Sequence, residues 1–145
     1  MTAPTIDRQR WMAILARASR AEIAELVGPE LPRHDLLKAP ETGTVMVEGR
    51  AGGAGRRFNL GEATVTRCVV MLSDGPMGFS YALGRDARKA RLAAILDARL
   101  QREEANSPLH RAVSDLAARQ GAARELASRQ AAATKVDFFT LVRGA

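Results

Sequence analysis

A single cysteine, Cys68, stands in the 145-residue chain, which excludes an internal disulfide and fits a protein kept in a reducing, cytoplasmic compartment. Aromatic residues make up only 4% of the sequence, so any core must be mainly aliphatic. No apolar run approaches the roughly 20 residues needed to span a bilayer. The first residues, MTAPTIDRQRWMAILARASR, lack the form of a signal peptide: Asp7 precedes the apolar positions, and Arg17 and Arg20 interrupt them. The two histidines, His34 and His110, lie far apart, and no Cys/His cluster has metal-ligand spacing, so we expect no metal site. No serine occupies a nucleophile elbow. Cys68, set among β-branched residues, reads as a small buried apolar residue rather than a nucleophile.

Other features are abundant. Hydrophobic residues form 46% of the chain and charged residues 26%, a globular balance sufficient for one domain spanning residues 1–145. The net charge is +6, which favours anionic partners such as nucleic acid, phosphorylated metabolites or an acidic protein surface. Of 22 basic residues only Lys38, Lys89 and Lys135 are lysines. Arginine suits bidentate contact with phosphate or carboxylate, although dispersal along the chain also fits a plain compositional preference.

The apolar periodicity predicts α+β architecture. An N-terminal helical pair occupies about 6–28: Trp11, Ile14, Leu15 and Ala18 repeat at helical spacing, with Arg8, Arg10 and Arg17 placed towards water. Ser19 with Glu22 three residues on forms a capping box for the second helix, which Gly28 and Pro29 end. An antiparallel sheet is expected over about 33–83. Its strands at 34–39 and 43–49 are separated by a turn at Pro40-Glu41-Thr42-Gly43; a longer strand follows at 62–72, and another at 77–83 after the turn Ser73-Asp74-Gly75-Pro76. Two long helices then fill about 85–131, the second opened by Ser107 and Pro108 and carrying an apolar stripe through Ala123, Leu126 and Ala127. The β-branched and aromatic tail predicts a C-terminal strand at about 135–142 returning to the sheet.

Two stretches carry candidate chemistry. In Gly49-Arg50-Ala51-Gly52-Gly53-Ala54-Gly55-Arg56-Arg57, glycines permit backbone N–H groups to turn inward on an anion, and Arg50, Arg56 and Arg57 add forked donors. The stretch is neither a Walker A loop nor a dinucleotide fingerprint, and on spacing alone a hairpin with solvated arginines is the plainer account. In Asn59 to Cys68, strand alternation sets Glu62, Thr64, Thr66 and Cys68 on one face and Ala63, Val65, Arg67 and Val69 on the other. The first face offers a carboxylate and hydroxyls to a polyol or phosphate, or simply faces solvent. Arg67, sharing its face with valines, calls for a carboxylate or a partner. No complete catalytic constellation emerges, so no catalytic residue is assigned.

These blocks together resemble the PhnG family, a subunit of the bacterial carbon–phosphorus lyase core complex. The matching residues are Arg8-Gln9-Arg10-Trp11-Met12, Pro40-Glu41-Thr42-Gly43, Gly49-Arg50, Gly52-Gly53, Gly55, Phe58 to Cys68, Leu83-Gly84-Arg85-Asp86, and the tail Ala133 to Gly144. The resemblance runs in order along essentially the whole chain. It implies a subunit inactive or nearly so by itself, acting with PhnH, PhnI and PhnL-like proteins, in a complex that also contains PhnJ. Their reaction moves the ribose triphosphate of MgATP onto methylphosphonate or another alkylphosphonate and releases adenine, giving α-D-ribose 1-methylphosphonate 5-triphosphate. No cofactor is expected on this chain alone; MgATP is a substrate of the complex.

Within that frame Arg50, Gly52, Gly53, Gly55, Arg56 and Arg57 are the candidate anion contacts, with Glu62, Thr66 and Arg67 as strand groups near a shared site. Phe138, Phe139 and Leu141 are candidate interface residues. The alternatives are a purely structural subunit without substrate contact and a small basic nucleic-acid binder. The latter is the weaker, because the arginines gather on no recognition helix. Neither nucleic acid nor membrane is an expected partner.

Overall fold

In the computed structural model, residues 6–50 and 55–143 are described, without the side chains of residue 50 and of residues 134–143. Gly52 and Gly53 therefore lie outside the described residues, as do the side chains of Arg50, Phe138, Phe139 and Leu141. The chain is α+β, in the order α1 (Arg8–Arg17), α2 (Arg20–Val27), β1 (His34–Arg50), β2 (Arg57–Leu72), β3 (Met77–Leu83), α3 (Ala87–Arg102) and α4 (Pro108–Arg143). The strands form one antiparallel sheet in the order β1-β2-β3.

Local chemistry sets the helix ends. The Asp7 carboxylate accepts from the Arg10 amide at 2.9 Å and starts α1. The capping box of α2 is closed in both directions, Ser19 Oγ accepting from the Glu22 amide and Glu22 Oε1 from the Ser19 amide. Gly28, at φ +83°, ends that helix in a conformation that favours glycine. Asp86 caps α3, its Oδ1 accepting from the Lys89 amide. Ser107 Oγ accepts from the His110 amide just inside α4.

Two expectations require correction. Pro40-Glu41-Thr42-Gly43 is no turn, since β1 runs through it as one 17-residue strand. The register against β2 slips between Leu36 and Lys38 and again across Pro40, between Lys38 and Glu41. Proline lacks a donor for the ladder, but at an irregularity in an edge strand no ladder bond is forfeited. The second correction concerns the tail: residues 135–142 continue α4 and make no strand. No glycine or proline stands between Gly121 and Gly144, and Ala131-Ala132-Ala133 lead directly into the segment. Extending an existing helix adds a hydrogen bond for each residue fixed, whereas the preference of Thr134, Val136, Thr140 and Val142 against helix is a few tenths of a kcal/mol each.

α3 covers one face of the sheet. Its inner stripe is Ala90, Ala93, Ala94, Ile95, Ala98 and Leu100, set over Cys68, Val70, Leu72 and Ala82. Small residues bring the helix close. A Cβ on Gly78 would run into the Ala94 carbonyl oxygen and lie 2.9 Å from the Ala98 amide and methyl, so glycine is the residue that lets β3 and α3 meet. α1 and α2 close the other side of α3 with Trp11, Ile14, Leu15 and Ile23; the first turns of α4 add Leu109, Val113 and Leu116. Ile23 and Leu116 are fully buried, each burial stabilising by roughly 2 kcal/mol. Beyond Gly121, residues 122–133 of α4 are exposed, so the stripe at Ala123, Leu126 and Ala127 is not buried among the described residues.

The elements are tied at Asp97 of α3, whose side chain is fully buried. Oδ1 accepts from Trp11 Nε1 at 2.8 Å and Arg8 Nε at 3.2 Å. Oδ2 accepts from Arg8 Nη2 at 2.8 Å, the Phe79 amide at 2.9 Å and Gln101 Nε2 at 3.2 Å. Arg8, expected to face water, thus reaches inward; it also lies 5.5 Å from the centre of the Phe79 ring. The Asp97 hydrogen bond is the largest cause raising the Arg8 pKa above its ordinary value. Asp97→Ala is expected to lower unfolding free energy by about 3 kcal/mol in urea denaturation, because it strands a buried amide and indole N–H along with the guanidinium.

Acid should loosen a second tie. Arg20 Nε donates to Asp86 Oδ2 at 2.7 Å, and this bond, followed by the one from the Lys89 amide, depresses the Asp86 pKa below its ordinary value. A depressed carboxylate stabilises the fold above the unfolded pKa and loses that contribution as pH falls through the folded one. Arg20→Ala should therefore lower stability slightly at neutral pH, leave it unchanged in strong acid, and so flatten the acid limb of a stability–pH curve below about pH 4.

Candidate functional site

β3 ends at Leu83, opposite Val65 of β2. β1 and β2 continue past that point as a two-stranded ribbon, from the Gly43–Val65 pair to the Arg50–Arg57 pair. At about 3.3 Å per residue, the eight residues 57–64 carry it roughly 25 Å beyond the three-stranded region. Val45, Met46, Val47, Phe58 and Leu60 are exposed along it. The ribbon also has a slip between Val47 and Glu48, beside Gly61 at φ +148°. Gly49 is small for a reason: a Cβ there would lie 2.9 Å from Leu60 Cδ1, so Leu60 folds across the glycine.

The candidate anion contacts cluster at the ribbon's end. Gly55, Arg56 and Arg57 are exposed there, and the backbone of Arg50 pairs with that of Arg57. Arg57 Nη1 lies 3.8 Å from Glu48 Oε2, so part of its charge is answered within the ribbon. Arg56 has no hydrogen-bonding or ionic partner among the described residues. The described end of the ribbon thus offers exposed cations, Arg56 and Arg57, next to Gly55.

The strand candidates do not join that cluster. Glu62 is exposed in mid-ribbon, in register with Met46. Thr66 is 1% exposed; its hydroxyl donates to the Gly84 carbonyl at 2.7 Å and lies 3.2 Å from Thr42 Oγ1. It fixes the junction of β1, β2 and the end of β3. Arg67 is exposed on the opposite face, in register with Glu41 and Tyr81. Ten residues separate Arg57 from Arg67, roughly 33 Å along a strand, so one small anion cannot touch both. Thr66, Cys68, Val70 and Leu72 share the covered face, which makes the inner half of the supposed polar face a core face.

Other groups were missed. Lys89 is largely buried, with Nζ 3.3 Å from both the Ala16 and Leu83 carbonyl oxygens; desolvation is the largest cause lowering its pKa. His34 Nδ1 lies 2.8 Å from the Pro32 carbonyl, and Arg91 Nε donates to His34 Nε2 at 3.0 Å, which assigns the imidazole proton to Nδ1. Their sequence positions gave no sign of these pairings, which join residues 57 or more apart or depend on helix docking. A cleft of about 360 Å³ between α2 and α4 is lined by Glu22, Glu25, Arg99 and Arg119 among others, and by no ribbon residue. Among the described residues no group of three or more His, Cys, Asp or Glu could hold a metal ion. No described helix is long and apolar enough to cross a membrane.

Comparison with known proteins places this geometry. The model of the family described as phosphonate metabolism protein PhnG matches residues 6–144. The chain is also 42% identical, over 144 residues, to the alpha-D-ribose 1-methylphosphonate 5-triphosphate synthase subunit PhnG of Rhizobium meliloti (strain 1021), a match spanning 98% of this chain and 92% of that protein.

Cys68 lies on the covered face, fully buried, and burial pushes its thiol pKa up against a smaller opposing effect from Arg91. The native thiol is expected to resist an aromatic disulfide reagent at pH 8 and to react as one equivalent only after denaturation; stoichiometric labelling of the native chain would refute this burial.

Proposed function

The chain belongs to the PhnG family, and from that membership we propose that it is a non-autonomous subunit of a ribose 1-methylphosphonate 5-triphosphate synthase in carbon–phosphorus lyase metabolism. The observation that carries the proposal is the 42% identity to the Rhizobium subunit along nearly all of both chains. The complex transfers the ribose triphosphate of MgATP to methylphosphonate or a related alkylphosphonate and releases adenine. PhnH, PhnI and PhnL-like proteins act with this chain, and PhnJ belongs to the larger assembly. It works in the cytoplasm and contributes no cofactor of its own.

In this reading the ribbon tip is one wall of a shared site. A nucleoside triphosphate brings several negative charges, which must be neutralised while the ribose is moved. Arg50, Arg56 and Arg57 supply forked donors, and Gly52, Gly53 and Gly55 allow backbone N–H groups to approach phosphate oxygens. Two features support this role: the exposure of Gly55, Arg56 and Arg57, and their place at the end of the ribbon, beyond the three-stranded sheet. Glu62, nearer the base of the ribbon, extends the polar wall. Phe138, Phe139 and Leu141 serve as interface groups on the last turns of α4, where the apolar sequence lies beyond an exposed stretch of helix.

A second reading, a purely assembling subunit, is favoured by the structural engagement of Thr66, whose buried hydroxyl is bonded to the Gly84 carbonyl rather than presented to a substrate. Reconstitution separates the two. Arg50→Ala and Arg56→Ala complexes are expected to assemble normally and to form the ribosyl triphosphate product about tenfold or more slowly, each lost charge-assisted contact being worth about 1.5–3 kcal/mol. Assembled variants with wild-type turnover would refute the anion contacts; reduced assembly with normal turnover of what assembles would establish the second reading.

A further inference from the structure

The sheet has one covered face and one bare face. α3 lies on the side of Cys68, Val70 and Ala82. The opposite side carries Tyr81 and Leu83 on β3, and Val45 and Val47 where β1 runs on into the ribbon, each between 38% and 51% exposed. Register aligns them: Arg67 stands between Glu41 and Tyr81, and Val65 between Gly43 and Leu83. Val65 is only 4% exposed yet lies outside the core cluster, so this face already holds a small apolar nucleus of its own.

Arg67 is the anomaly on this surface. It is exposed and, among the described residues, has no hydrogen-bonding or ionic partner. Its register neighbour Glu41 is engaged by Lys38, at 3.2 Å. A guanidinium flanked by Val65 and Val69 along its strand, with Tyr81 on one side and the Lys38-paired Glu41 on the other, matches the composition of interface anchors, in which Arg and Tyr dominate. Covering that surface would remove Arg67 from water, and a buried cation without a carboxylate is strongly unfavourable.

The charge selects the occupant. A second copy stacked on this face about a two-fold axis would bring Arg67, near mid-face, towards its own counterpart, and like charges across an interface are costly. Nucleic acid needs a row of cations along its phosphates, whereas this face offers Arg67 and a Lys38 already paired with Glu41. We propose that the bare face, centred on Arg67 and Tyr81, is the docking surface for a different protein chain, another subunit of the synthase, presenting an apolar patch with a carboxylate over Arg67. The proposal rests on the subunit reading above and assigns Arg67 to assembly rather than to substrate.

The test is co-expression of the full chain with the other synthase subunits, purification through a tag on one of them, and light scattering on the isolated chain. Arg67→Glu and Tyr81→Ala should each cut recovery of this chain about tenfold or more, with unchanged thermal melting because both positions are exposed. Arg67→Lys should retain part of the association, and Arg111→Glu, on the exposed side of α4, should match wild type. Wild-type recovery of Arg67→Glu, with the wild-type chain associating normally, overturns the docking surface and leaves the subunit reading intact. A self-association abolished by Arg67→Glu also overturns it, in favour of a second copy. Failure of the wild-type chain to join any synthase subunit overturns the subunit reading and this proposal with it.

Discussion

The carboxylate of Asp97 is removed from water and surrounded by donors from three elements: Arg8 and Trp11 of α1, the Phe79 amide of β3, and Gln101 of its own helix. An ionised group there is tolerable only with its acceptor capacity filled, so α1, α3 and β3 must arrive in one arrangement together. The Phe79 amide points away from β2 and would otherwise belong to an open sheet edge; Asp97 closes that edge at this point. Apolar packing supplies more free energy, but aliphatic surfaces built from Ala, Leu and Ile can slide. The directional bonds at Asp97 fix which turn of α3 lies against which residue of β3, and the absent side chain at Gly78 makes that closeness possible.

Fixing α3 on one face determines what remains uncovered. A three-stranded sheet with a single helical layer has a second face that the described residues cover only at its β3 edge, where Arg8 lies over Phe79, and β3, at seven residues, is too short to support the far halves of β1 and β2. A two-stranded ribbon is at best marginal in water by itself. This one is longer than the region that supports it and carries valine, methionine, phenylalanine and leucine exposed along its length. α4 repeats the pattern, leaving the domain after Gly121 with its later residues exposed. Free energy that a solitary domain would gain by folding such segments inward is left for association.

Local chemistry was legible in the sequence; long-range geometry was not. The Ser19–Glu22 capping box, the Gly28 stop, the Ser107-Pro108 start and the 77–83 strand depend on residues within a few positions of one another, and the structure has them as read. Pro40 misled because the penalty of proline in a strand depends on whether the strand is at an edge, which only the assembled sheet decides. The tail misled because β-branched content argues for a strand locally, while continuity with an alanine-rich helix argues more strongly for propagation. Arg8 and Asp97 are 89 positions apart, and each alone reads as an exposed charge on a helix. The candidate site divides likewise. Alternation correctly separated Thr66 from Arg67, but only helix docking shows that the Thr66 side is interior.

The separation between the ribbon tip and Arg67 gives those arginines different physical roles. At the tip, Arg56 is surrounded by solvent on a strand pair with no covering layer, so its charge is screened and its contribution to folding is small. Such a group costs little to present and can be reorganised around an incoming anion. Arg67 stands on the rigid three-stranded part, flanked by Val65 and Val69, with Tyr81 across from it, where a covering surface would exclude water and strengthen its field. A mobile polyanion is better met by the first environment, whose cations can gather from several directions. A fixed carboxylate on a complementary apolar surface is better met by the second, because the rigid sheet holds the guanidinium in place before contact. β2 therefore presents two environments roughly 33 Å apart, an exposed ribbon end at Arg57 and a rigid three-stranded sheet at Arg67.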